Sequence, residues 1–293
     1  MKQFLHLSIL LAALAVPAVG LAQYDYYIVG DSTCILTKYT GSGGAVEIPA
    51  KINGRFVTSI FSSAFEDCNS LTSVVIPGTI YSIDNNAFYC CRNLTNVVIG
   101  SGVNSIGRGA FLSCTNLPRI TIPSSVVSIA AQAFGHCYNL VSVVIEGSGT
   151  SIGDEAFFCC NRLSGIYFAG NYPDYGKTFS SPTFGRQVFL GNNSARVFYF
   201  PGTAGWGVAI NGDLPVLWNP QVKPDNTLGV RDNCFGFTVT NAGNPIVFVE
   251  ARGSLTSGAW VLLSTNTLTG GESYFSDPSW TNYTGRFYRF RAP

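Results

Sequence analysis

The chain has 293 residues, of which 46% are hydrophobic and only 11% charged, and its formal net charge is +1. That length leaves room for two domains, while the charged fraction is far below the roughly 25% usual in soluble domains. A near-neutral chain lacks the basic field that nucleic acid or an anionic membrane surface requires, so neither is expected as a partner.

The first 22 residues read as a signal peptide. Lys2 is the basic start, Phe4 to Val16 the apolar stretch, and Gly20-Leu21-Ala22 puts small residues where a signal peptidase needs them, so cleavage is expected before Gln23. The apolar run is too short to span a bilayer comfortably. No cysteine follows it, as a lipoprotein would need, and no later stretch is apolar enough to cross a membrane. Residues 23–55 read as an N-terminal β cap. Tyr26 to Val29 and Cys34 to Lys38 flank Gly30-Asp31 as a hairpin, and Val46-Glu47-Ile48-Pro49 forms the strand of an incomplete first coil.

Residues 56–219 are organised by a repeat. Ser59 to Leu71 read S-I-x-x-x-A-F-x-x-C-x-x-L, and the pattern returns at Ser82, Ser105, Ser128 and Ser151, each 23 residues on. A fixed period of this size with apolar anchors marks a solenoid. Ala64, Phe65, Cys68 and Leu71 fall at i, i+1, i+4 and i+7, which predicts a short helical turn with these residues on one face. Val74 and Ile76 then alternate with Val75 as in a half-buried strand, and Pro77 ends it. Stacked coils would bury like over like, with one parallel strand per coil. A degenerate sixth unit follows in Thr183-Phe184, Val188-Phe189, Asn192, Ala195, Phe198 and Phe200-Pro201. Phe200 lies 32 residues after Phe168, which implies a nine-residue insertion within Ala169 to Pro182. With the incomplete first coil, seven parallel strands are expected, and Trp206 and Trp218 are expected to cover the open end of the core.

The string, with Ile-Pro closing the strand, resembles the BspA-like leucine-rich repeats of bacterial cell-surface proteins. The resemblance runs from about Tyr24 to Pro220, roughly two thirds of the chain. Here Cys precedes the strand, where the general leucine-rich consensus puts Asn or Cys after it. The resemblance implies a secreted or surface-exposed interaction protein, often an adhesin, with no catalytic activity. It implies no particular ligand.

Residues 220–233, with Pro220, Pro224, Asp225 and Asn226, read as a linker. Beyond it the period vanishes. Phe235 to Thr240, Ile246 to Glu250, Trp260 to Ser264, Ser273 to Phe275 and Arg286 to Arg291 are strand-like and separated by turns, so 234–293 is expected to form a small antiparallel β-sandwich. The fold class is thus a leucine-rich-repeat solenoid, a parallel sheet with short helical turns, followed by a β-sandwich-like module.

The chemistry-bearing residues are few. Cys68, Cys91, Cys114, Cys137 and Cys160 form one buried column of small side chains. A line of thiols cannot converge on a metal as zinc demands, and no spacing among the nine cysteines calls for a disulfide. No metal or cofactor is expected. His136 is the single histidine beyond the leader and occupies a variable repeat position. Neither a phosphate-binding loop nor a nucleophile elbow is present, so no enzyme activity is expected. The outward sheet column reads Glu47, Val75, Val98, Thr121, Val144, Tyr167 and Tyr199, beside a second column that includes Asn96 and Arg119. The expected partner surface is Tyr167 with Tyr199, closed by Tyr172 and Tyr175 on the insertion and rimmed by Arg119 and Asn96, because tyrosine clusters suit protein interfaces. A protein ligand is the first expectation. A glycan bound by the tyrosines or the C-terminal module is the second, and a purely structural envelope role the third.

Overall fold

The computed structural model describes residues 23–172, 184–192, 195–207, 209–210, 214–243, 245–254, 256, 258–283 and 285–292. The leader 1–22, Tyr175 and most of the insertion lie outside the described residues. Two compact units are present, dividing between Asn219 and Pro220.

The first unit is a β-solenoid. The hairpin of Tyr24–Val29 and Thr33–Tyr39 turns at Gly30, whose φ of 65° suits a residue without Cβ. Thr33–Tyr39 then pairs in parallel with Arg55–Ile60. The Ser-Ile dipeptides carry this ladder onward through Ser82–Ile83, Ser105–Ile106, Ser128–Ile129 and Ser151–Ile152, with a single bridge from Ile152 to Phe184. The repeat spacing alone had placed one strand in each coil; the invariant Ser-Ile forms a second. The other ladder joins Gly44–Glu47, Leu71–Ile76 and Asn96–Ile99 in one piece. Its second piece runs through Arg119–Ile122, Ser142–Ile145, Gly165–Phe168, Arg196–Tyr199 and Val216–Leu217. The final strand extends the expected seven to eight.

The segment between the ladders is not helical. The N–H groups of Ala64, Glu66 and Cys68 close turns onto Phe61, Ser63 and Phe65, three residues back. Those of Ser63, Phe65 and Asp67 instead donate to Asn85, Ala87 and Tyr89 of the next coil. A helix would direct every N–H to the carbonyl four residues back. Here two residues per coil adopt left-handed backbone, Ser63 (φ 60°) and Asp67 (φ 56°) in the first, Asn86 (57°) and Cys90 (58°) in the second. That interruption frees alternate N–H groups for stacking, so the turns become a third hydrogen-bonded wall. The spacing still imitated a helix because it brings the same four side chains inward. Among the described residues no α-helix occurs.

Apolar columns fill the interior. Tyr39, Phe65, Phe88, Phe111, Phe134, Phe157 and Phe189 form a continuous ring stack with centroids 5.0, 4.7, 5.0, 5.2, 5.5 and 6.2 Å apart. Offset stacking at such distances adds roughly 0.5–1.5 kcal/mol per pair beyond area burial. The cysteine column lies alongside. Cys91, Cys114, Cys137 and Cys160 each direct Sγ at the carbonyl of a Phe in the preceding coil, at 3.0, 3.2, 3.3 and 3.1 Å. Asn192 takes over in the sixth coil, donating Nδ2 to Phe157 O at 2.5 Å.

The second unit pairs two antiparallel sheets over Phe237, Val239, Val247, Val249, Leu268 and Phe275. Cys234–Thr240 is flanked by Gln221–Val222 and Gly229–Arg231 on one edge and Glu272–Asp277 on the other. The stretch 220–233, read above as a linker, therefore carries two strands of this unit; their two and three residues are too short to show periodicity. Ile246–Arg252 lies between Val261–Thr267 and Phe287–Arg291 in the other sheet.

Candidate interaction surface

Alternation along the strands sends Val74 and Ile76 inward and Val75 outward. Register then sets Val75 beside Val98, and Thr121 beside Val144. The second outward column pairs Ser73 with Asn96, and Arg119 with Ser142. Asn96 and Arg119 are both exposed, so this face is open where the sequence places its polar rim.

The tyrosines do not meet on that face. Tyr167 is 0% exposed. Its ring lies back along its own strand over Gly165, where a Cβ would come within 2.8 Å of it, and stacks on Phe198 at 5.0 Å with the edge of Trp218 at 6.4 Å. Trp218 also packs on Phe200 at 4.9 Å. Tyr199 pairs with Phe168, not with Tyr167. It therefore points inward and stacks on Trp206 at 5.7 Å, while Tyr172 meets the same indole edge-on at 5.4 Å. The cause is a one-residue slip. The turn wall is offset by 32 residues (Ile152 to Phe184) but the strand by 31 (Phe168 to Tyr199). One residue lost before Arg196 exchanges the two faces of the sixth strand, as any odd shift of register does. Trp206 thus covers the core end, whereas Trp218 covers aromatic rings on the outer face.

A different surface is built nearby. A shallow cleft of about 520 Å³ is lined by Arg92, Ser113, Thr115, Asn116, Tyr138 and Asn139. It sits where the turn wall bends into the outer sheet, immediately upstream of the strands bearing Asn96 and Arg119. A ladder of asparagine side chains links its coils. Asn93 Nδ2 donates to Asn69 O at 2.8 Å, Asn116 Nδ2 to Asn93 Oδ1 at 3.4 Å, Asn139 Nδ2 to Asn116 Oδ1 at 3.0 Å, and Arg162 Nη1 to Asn139 Oδ1 at 3.3 Å. Tyr138 is 44% exposed, and its hydroxyl contacts His136 Nδ1 at 3.1 Å. These residues were passed over in the sequence. The signal was the position before each anchoring Leu, which reads Asn93, Asn116 and Asn139 in succession without any packing reason.

The remaining polar groups have structural settings. His136 occupies a left-handed position (φ 55°), with its ring edge-on to Phe158 at 4.9 Å. All nine cysteines are free. Burial raises the thiols of Cys91, Cys114 and Cys137, which disfavours the nucleophilic thiolate. Among the described residues no group of three or more His, Cys, Asp or Glu could hold a metal, and no helix is long and apolar enough to cross a membrane.

Residues 57–184 match a family model, the BspA type leucine rich repeat region, in six copies. Among solved structures, a leucine-rich repeat protein of T. pallidum is 26% identical, covering 64% of this chain and 86% of that one, with a TM-score of 0.46. A leucine-rich repeat protein from Bacteroides capillosus is 33% identical over 44% of this chain and 98% of its own, with a TM-score of 0.38. A leucine rich cell surface protein from Faecalibacterium prausnitzii is 27% identical over 60% of this chain and 53% of its own, with a TM-score of 0.45. No curated protein matches the chain.

Proposed function

The chain belongs to the BspA-type leucine-rich repeat family, and from that premise we propose that it is a secreted or cell-surface, non-catalytic scaffold that binds a protein ligand. The leader-like first 22 residues support export. The observation that carries the reading is the cleft of Arg92, Thr115, Asn116, Tyr138 and Asn139 beside the open strand face with Asn96 and Arg119. Its side chains stand on hydrogen-bonded coils, so little ordering entropy is lost on binding. Tyr138 and Arg92 are of the residue types that dominate interface energetics.

The test is capture of biotin-labelled surface and matrix proteins by the mature chain, alongside a glycan array. A protein ligand retained by wild type and weakened by Arg92→Ala with Tyr138→Ala by at least about 2 kcal/mol supports the reading. A ligand that both bind equally removes the cleft from it. Glycan hits with no protein hit favour a carbohydrate-binding surface protein, the second reading, which the polar lining of the cleft also suits.

A further inference from the structure

Charge is scarce in this chain, at 11% of residues, so its placement carries information. In the five regular coils, the corner between the anchoring Cys and the first inward residue of the strand comprises residues 69–73, 92–96, 115–119, 138–142 and 161–165. These stretches hold Arg92, Arg119 and Arg162 and no Asp, Glu or Lys. Register carries the Arg119 column through Ser142 and Gly165 to exposed Arg196 in the sixth coil. The acids of the same coils stand elsewhere. Glu66, Asp67, Asp84, Asp154 and Glu155 lie on or at the entry to the turn wall, and Glu146 follows the far end of a strand. The corner that holds the cleft is thus a strip of one sign.

Two of these arginines flank the Asn ladder, and neither is matched by a carboxylate among the described residues. Arg92 places Nη2 3.9 Å from Cys90 Sγ, and its backbone N–H donates to Asn69 Oδ1 at 3.2 Å. Arg162 donates Nη1 to the neutral amide of Asn139. In the C-terminal unit, by contrast, Arg289 and Arg291 share Glu250, and Arg286 meets Asp277. Between Arg92 and Arg162, Asn116 and Asn139 each commit one amide hydrogen to the ladder and keep a second. A row of donors ended by two cations accepts carboxylates and repels a basic partner. Arg92 and Arg162 are three coils apart, about 14 Å at the usual strand spacing. An extended peptide covers that length in about four residues, and an even separation keeps both of its side chains on one face.

We propose that the protein ligand of this cleft presents an extended acidic segment, its carboxylates taken by Arg92 and Arg162 and its polar groups by Asn116 and Asn139. This rests on the reading of the cleft as the partner site. The probe is a labelled peptide of alternating Glu and Ser, long enough to reach from Arg92 to Arg162. The matching Gln–Ser peptide and polygalacturonate are controls, all titrated into the mature full chain at low and high salt. Wild type should bind the Glu peptide, release it in high salt and bind both controls more weakly. Arg92→Gln should weaken the Glu peptide about tenfold, the scale of one charged hydrogen bond. Arg162→Gln should do the same, and provides an independent site should either variant melt early. Arg108→Gln removes the same charge from an exposed turn outside the corner and should bind as wild type does. Failure of wild type to bind the Glu peptide, equal binding of either control, or equal affinities in Arg92→Gln and Arg108→Gln would each overturn the proposal. The cleft would then still stand as the partner site if a captured protein ligand is weakened by Arg92→Ala with Tyr138→Ala, so the two failures are told apart.

Discussion

Phe111→Ala tests the packing at its centre. The ring is 0% exposed and stacks at 5.0 Å on Phe88 and 5.2 Å on Phe134. Truncating a buried Phe costs about 3–5 kcal/mol in lost transfer energy and residual cavity. This site falls at the upper end, about 4–5 kcal/mol, for two reasons. Both stacked neighbours lose a partner. Neither can move in, since each is fixed by backbone bonds to the adjoining coil, as in the Phe88 N–H bond to Ala110 O at 2.7 Å. Phe189 offers the contrast. It is 4% exposed, and its one ring partner in the stack, Phe157, stands 6.2 Å away. Phe189→Ala should cost about 3 kcal/mol. Arg108, exposed on a turn of the Phe111 coil, should cost within about 0.5 kcal/mol when replaced by Ala. Urea denaturation at matched slope ranks the three. Equal losses for Phe111 and Arg108, or a larger loss at Phe189 than at Phe111, would refute a core built on the ring stack.

Tyr167→Ala should lower stability by about 3 kcal/mol, because the ring is buried against Phe198; thermal melting reads this directly. Cys114 and Cys137 should resist alkylation in the native state and react on unfolding, with the melting temperature unchanged by reductant; mass spectrometry of labelled protein checks both. Burial raises the Glu146 carboxyl, against a smaller opposing effect of the Ser124 backbone. An acid raised on folding contributes stability below its unfolded pKa and loses it as pH rises through the folded value. Glu146→Gln should therefore be the more stable protein at neutral pH, and the gap should close on acidification.

The sequence made the solenoid legible because its anchors are buried columns. Phe65 through Phe157 and Cys68 through Cys160 recur without a gap, and a side chain that must sit on its own copy tolerates little change. Three features escaped for physical reasons. The turn wall looks helical because side-chain spacing does not record where an N–H points; only the left-handed positions, filled by Ser, Asn, Gly, Gln, Asp, Glu, Cys and His, hint otherwise. The Ser-Ile strand is two residues long and has no period to read. The face of Tyr199 depended on one missing residue in a coil whose anchors are all substituted except Phe189, and that slip turned Tyr199 into the core and laid Phe198 over Tyr167 on the outer face. The Asn ladder was readable, but it lay outside the apolar columns that drew attention.

The central claim is that partners meet this protein at the corner of coils bearing Arg92, Asn116 and Tyr138. Site-specific photo-crosslinking tests it most directly. A photoreactive phenylalanine analogue replaces Tyr138 in one sample and exposed Tyr81, on another part of the coils, in a second, and each folded protein is irradiated with labelled surface and matrix proteins. The account predicts a discrete adduct from position 138, abolished by Arg92→Ala, and none from position 81. Equal adducts from both positions, or an adduct at 138 that survives Arg92→Ala unchanged, would contradict it.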